Sequence, residues 1–165
     1  VSPIAVLIGP PAAGKSRLGR RVAARLGVEF VDTDKRVVAK HGPIPEIFAS
    51  AGEQQFRVWE REAVVDALAS PGIVALGGGA VLDHDTQRDL KDLYVILVTA
   101  SPEAIAPRLV SGTRPLLAGG IDAWVALVAE RQPVYDRLAD FTVDTSRGTM
   151  DSIADSLVTR LEERR

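Results

Sequence analysis

The chain contains no cysteine, which excludes disulfide bridges and thiolate-ligated metal sites. No apolar run approaches the roughly 20 residues of a membrane-spanning helix. No block of like charge is present either, and the net charge of −2 offers no basic surface to nucleic acid or to an anionic membrane. Aromatic residues make up only 5% of the chain, and its two histidines, His41 and His84, have no second His at ligand spacing. Both therefore read as surface residues. What is present, 46% hydrophobic and 25% charged residues over 165 positions, suits one globular domain with a sizeable core. The first apolar run begins at Ile4, so no signal peptide is expected, and the cytoplasm is the expected location.

The densest local signal is Gly9-Pro10-Pro11-Ala12-Ala13-Gly14-Lys15-Ser16. It matches G-x-x-x-x-G-K-[ST], the phosphate-binding loop of nucleotide triphosphatases. The context fits: an apolar run over residues 4–8 precedes it, and a helical pattern over 15–26 follows. Such a loop points successive backbone N–H groups into a concavity at a helix N-terminus, where the dipole favours an anion. Lys15 is placed to reach the β- and γ-phosphates, and the Ser16 hydroxyl to hold Mg²⁺.

Short β-branched apolar runs at 4–8, 29–31, 73–76, 94–98 and 141–143 read as buried strands. Helical patterns separate them, at 15–26, 34–40, 44–51, 53–68, 85–90, 102–110, 121–138 and 151–161. The alternation predicts right-handed βαβ crossovers, hence an α/β fold with a parallel sheet covered on both faces. Residues 111–120, SGTRPLLAGG, form the candidate mobile loop, with flanking glycines as hinges.

Four further segments carry candidate chemistry. Asp32-Thr33-Asp34 ends the second strand, where carboxylates face the ligand crevice of a parallel sheet. One could hold a metal-bound water and the other a substrate hydroxyl; the alternative is that Asp34 caps the next helix. In the segment from Gly52 to Glu60, Arg57 and Glu60 are i,i+3, so Glu60 can orient a guanidinium fork for a carboxylate ligand. The alternative is a surface ion pair. Gly77-Gly78-Gly79 permits close approach of a ligand to bare backbone, or else makes a tight turn. Arg131-Gln132-Pro133-Val134-Tyr135 places a cation near a helix end, or simply punctuates the helix. Trp59 and Trp124 read as packing residues on helical faces.

Taken in order, these segments resemble the shikimate kinase family. Its signature runs phosphate loop, D-T-D, G-E-x-x-F-R-x-x-E, G-G-G, R-P-L and R-x-P-x-Y. All six elements occur here, the fifth as Arg114-Pro115-Leu116. The resemblance implies a P-loop three-layer α/β/α fold over residues 1–165, with a five-stranded parallel sheet in order 2-3-1-4-5. It implies shikimate-binding helices over about 34–61 and a lid over about 111–120. The implied activity is transfer of the ATP γ-phosphoryl to the 3-hydroxyl of shikimate, with Mg²⁺, by a monomer.

The same resemblance assigns roles. Lys15, Asp34 and Arg114 are catalytic, Asp34 as base and Arg114 as a lid cation. Pro11, Ala12, Ala13, Gly14, Lys15, Ser16 and Arg17 bind nucleotide, and Ser16 and Asp32 serve the metal. Asp34, Phe48, Phe56, Arg57, Gly78, Gly79 and Arg131 bind shikimate, the two arginines clamping its carboxylate. Three departures stand out: Ala12 replaces a usual Gly, Arg17 a usual Thr, and Pro107 the usual adenine-stacking Arg. Arg108 or Arg147 is then the candidate to hold adenine. Two rivals share the phosphate loop: another small metabolite kinase, such as a gluconate kinase, and a catalytically silent binding domain.

Overall fold

The computed structural model describes residues 1–110 and 119–165. Five strands form one wholly parallel sheet: β1 (Ala5–Ile8), β2 (Phe30–Asp32), β3 (Ile73–Ala75), β4 (Val95–Thr99) and β5 (Phe141–Asp144). Their spatial order is β2-β3-β1-β4-β5, as the resemblance implied. Among the described residues the helices are α1 (Lys15–Leu26), α2 (Thr33–His41), α3 (Ile44–Ser50), α4 (Gly52–Ala67), α5 (His84–Asp89), α6 (Pro102–Val110), α7 (Gly120–Leu138) and α8 (Met150–Glu163), with a 3₁₀ turn at Ala80–Leu82.

Alternation along the strands divides the core in two. Ala5, Leu7, Ile73, Ala75, Ile96 and Val98 face one layer, against Leu18 and Val22 of α1 and Leu157 and Leu161 of α8. Val6, Ile8, Val74, Leu76, Val95 and Leu97 face the other, against Val64 and Ala67 of α4 and Tyr135 of α7. The strand period of two sends alternate residues to opposite faces, so both are apolar only because helices cover both. A third cluster, Val37, Ile47, Phe56 and Ala63, joins α2, α3 and α4 beside the end of β2. A fourth, Ala100, Ile105 and Trp124, seats α6 and α7 near the phosphate loop, with Ala12 packed against it. No described helix is long and apolar enough to cross a membrane.

The helix after β2 starts at Thr33, and its N-cap is Asp32, whose side chain accepts from the Lys35 amide. The capping alternative for Asp34 is therefore corrected: Asp32 takes that position and leaves Asp34 in the first helical turn. The expected mobile segment 111–120 lies, except for Gly119 and Gly120, outside the described residues, and Arg114 lies there with it.

Candidate active site

The phosphate loop connects β1 to α1, and its backbone is turned inside out. Pro11 O accepts from Trp124 Nε1 at 2.8 Å, Ala12 O from Arg108 Nη1 at 3.0 Å and Ala13 O from Thr145 Oγ1 at 2.6 Å. A trans peptide points its C=O and N–H in opposite directions. Three carbonyls held by the surrounding protein thus direct the next N–H groups toward the concavity. At the mouth of α1, Gly14 is left-handed and gives no side-chain cap, and the first turn carries no acid. The orphan amides of that turn are left for an anion. Lys15 Nζ donates to Gly9 O at 2.7 Å and Pro10 O at 2.8 Å, holding its charge inside the loop.

Ser16 Oγ donates to Asp32 Oδ2, bringing a hydroxyl and a carboxylate together at the loop. No group of three or more His, Cys, Asp or Glu suited to a metal occurs among the described residues. A two-oxygen set of this kind fits Mg²⁺, which takes one or two protein oxygens and completes its octahedron with phosphate and water.

The Gly77-Gly78-Gly79 turn is where the other candidates meet. None of these three glycines has a positive φ; what they supply is space. A Cβ on Gly77 would collide with Asp34 Oδ1 and lie 3.0 Å from Glu60 Oε2. A Cβ on Gly79 would lie 2.6 Å from Arg57 Nη1, and one on Gly78 3.1 Å from Pro11 of the phosphate loop. The turn thus lets α2, α4 and the phosphate loop approach one strand end. Two long-range hydrogen bonds fix it: Gly77 N–H donates to Thr33 Oγ1 at 3.0 Å, and Tyr135 OH to Gly78 O at 2.9 Å. Thr33 is fully buried. Its part in the turn, like those of Trp124 and Thr145 in the loop, carries no local sequence signal.

Arg57 Nη1 donates to Glu60 Oε1 at 2.8 Å and Nη2 to Glu53 Oε1 at 3.3 Å. Burial works against the guanidinium charge, but the two carboxylates outweigh it and hold the Arg57 pKa above the ordinary value. Glu60 is only 4% exposed, so the surface ion-pair alternative does not apply. Burial pushes its carboxyl up to about 7; Arg57 opposes this, Asp34 reinforces it, and Arg131 opposes it. Asp34, Arg57 and Arg131 therefore all lie within electrostatic reach of one buried carboxyl. Arg131 is itself buried on α7, close to Tyr135, whose phenol is raised by burial against the pull of Arg131. Phe48 and Phe56 stand beside this group with ring centroids 5.1 Å apart, and Arg57 Cζ lies 5.3 Å from the Phe56 centroid.

On the far side of the phosphate loop, a cavity of about 380 Å³ is lined by Arg17, Arg108, Thr145, Gly148, Thr149 and Met150, among others. Of the two candidates for the adenine, Arg108 borders this cavity, whereas Arg147 adjoins Asp144 and helps lower its pKa, after Ser146.

The proton on Glu60 gives a testable pH dependence. A folded-state pKa raised above the unfolded value contributes stability that is full below the ordinary glutamate range and is lost as pH rises to about 7. An anionic ligand on Arg57 adds a second negative charge, so it favours protonated Glu60. Affinity for a carboxylate ligand is expected to fall severalfold as pH rises through about 7. Titrations between pH 6 and 8.5 check this: Glu60→Gln should flatten the profile, and a wild-type profile flat across that range would contradict it.

The shikimate kinase family profile matches residues 11–162. A shikimate kinase of Thermobifida fusca (strain YX) is 45% identical over 163 residues, covering 96% of this chain and 95% of the relative. One of Mycobacterium avium (strain 104) is 43% identical over 166 residues, covering 98% and 94%. Among solved structures, shikimate kinase from Acinetobacter baumannii in complex with shikimate superposes with a TM-score of 0.92 at 29% identity, covering 100% of this chain and 95% of that one. With the family profile spanning residues 11–162 and relatives matched over nearly their whole length, this chain belongs to the shikimate kinase family, the ATP-dependent kinases of shikimate.

Proposed function

We propose that residues 1–165 act as one monomeric P-loop kinase domain that transfers the ATP γ-phosphoryl to the 3-hydroxyl of shikimate. One observation carries this reading: Asp34, Arg57 and Pro11 all abut the Gly77–Gly79 turn, and Arg131 reaches the same buried Glu60. A small anionic polyol needs a cationic fork for its carboxylate and acceptors for its hydroxyls, next to the phosphates.

In this site Arg57 and Arg131 clamp the carboxylate, Phe48 and Phe56 flank the ring, and Gly78 and Gly79 let it approach. Asp34 accepts the proton of the attacking hydroxyl; that oxygen bonds the γ-phosphorus as the bond to the β-phosphate oxygen breaks and ADP leaves. Amides from Pro11 to Arg17, apart from proline, cradle the phosphates with Lys15. Ser16 and Asp32 would hold Mg²⁺, which neutralises phosphate charge when bound. Arg108 borders the cavity for the nucleoside, and Arg147 is the second candidate there. The acceptor helices span about 34–61, and Arg114, in a lid over about 111–120, supplies positive charge to the transferring group. The gluconate kinase alternative, whose acceptor is also an anionic polyol, gives no account of the ordered D-T-D, F-R and G-G-G segments. A silent binding domain needs no base.

Calorimetry tests the clamp. Arg57→Ala and Arg131→Ala are each expected to weaken shikimate by roughly ten- to a hundredfold, the loss of one charge-assisted hydrogen bond at about 1.5–3 kcal/mol. ATP affinity should stay within about twofold, because neither residue belongs to the phosphate loop. Unchanged shikimate affinity in both variants would overturn the reading.

A further inference from the structure

We propose that Arg108 is a positioning residue that keeps the phosphate loop in its anion-binding shape by securing a strained backbone at Ala12. Ala12, at φ 65°, is the one non-glycine residue with a positive φ among the described residues. Glycine adopts that conformation freely, whereas the Cβ of alanine opposes it. The compensation comes from α6, 96 positions along the chain: Arg108 Nη1 donates to Ala12 O at 3.0 Å. Its Nη2 donates to Thr145 O at 3.0 Å, and Thr145 Oγ1 in turn donates to Ala13 O at 2.6 Å. One planar guanidinium thus ties the loop to the end of β5, with two donors in fixed relation.

The peptide between Ala12 and Ala13 decides the consequence. With Ala12 O held outward, the Ala13 N–H points toward the concavity, where its one described contact is a long 3.4 Å approach to Pro10 O. Without Arg108, Ala12 relaxes toward the right-handed region and this peptide rotates. A carbonyl then faces the phosphates where an amide stood. A glycine at this position needs no such hold, so the requirement for Arg108 depends on the side chain that Ala12 carries. This inference rests on residues 9–16 being the phosphate loop, and the experiment separates the two claims.

The probe is inorganic tripolyphosphate, which has no base to stack, titrated by calorimetry into the full chain and its variants. Arg108→Ala is expected to weaken tripolyphosphate about tenfold or more, and Ala12→Gly, which keeps the loop amide and relieves the strain at φ 65°, is the reference background for the second comparison. Adding Arg108→Ala to the Ala12→Gly background should cost no more than about threefold, the loss left to the missing charge. Arg108→Lys keeps the charge but replaces the planar fork, whose two nitrogens reach Ala12 O and Thr145 O in fixed relation, with a single nitrogen on a flexible stem. It should show an intermediate loss in the wild-type background and none in the Ala12→Gly background, which preserves the test if Arg108→Ala fails to fold. Unchanged affinity in Arg108→Ala would mean that Arg108 serves only the base. An equal loss in both backgrounds would mean a general structural or charge effect. Either result overturns the proposal. Lys15→Ala must remove tripolyphosphate binding; binding that survives it would overturn the loop assignment itself, and the proposal with it.

Discussion

Lys15→Ala is expected to lower kcat by about a hundred- to a thousandfold, the usual loss when one preorganised charge or donor is taken from a developing anion. The charge of Lys15 already sits within the loop, on Gly9 O and Pro10 O at 2.7 and 2.8 Å. ATP phosphates need only replace those carbonyls, so little reorganisation accompanies binding. In phosphoryl transfer the protein contributes mainly positioning and charge stabilisation, which makes a fixed ammonium at the β- and γ-phosphates one of its largest single contributions. The fold should persist, since the apolar core is built from other residues. Steady-state turnover with a thermal melt checks both halves. Turnover within about tenfold of wild type would mean that the loop does not carry the phosphates.

Asp34→Asn is expected to lower kcat by about a hundred- to ten-thousandfold, the range for losing a general base, with ATP affinity nearly unchanged. Asparagine keeps the shape and one acceptor oxygen but takes no proton. The helix-capping explanation does not compete here, because Asp32 is the N-cap of α2 and the substitution removes no cap. The site is also intolerant of displacement: Asp34 packs on Gly77, where even a Cβ would not fit. Single-turnover rates together with nucleotide titration separate chemistry from binding. An Asp34→Asn enzyme with wild-type turnover would leave Asp34 as a helix residue with no catalytic part.

The sheet could be read from the sequence because its strands are short apolar runs buried on both faces, and because the phosphate loop fixes where β1 ends and α1 begins. Expected and observed ends differ by about one residue where a strand or helix frays into a turn, as at Ile4, Glu29 and Leu68. The acceptor site was readable only as an ordered series. Arg57 and Glu60 are neighbours on a helix, whereas the meeting of Asp34, Arg57 and Pro11 at three glycines is a product of topology. Asp32 and Asp34 both have capping chemistry, and only the backbone at Thr33 distinguishes them. The departure at Ala12 was visible in the sequence, but its positive φ and the bonds that hold it were not. Arg108, Trp124 and Thr145 reach the loop across 96, 113 and 132 positions, and no periodicity or motif encodes such contacts.

Phosphoryl transfer to shikimate, as opposed to mere retention of nucleotide, distinguishes an active kinase from a silent binding domain. It is tested most directly by following ADP release and acceptor phosphorylation together, in one reaction with Mg²⁺ and ATP, with shikimate, gluconate or no acceptor. One ADP per shikimate 3-phosphate formed is expected, with little ADP released in the presence of gluconate or without an acceptor. ADP release at the same rate with and without shikimate, or phosphorylation of gluconate in preference to shikimate, would contradict it.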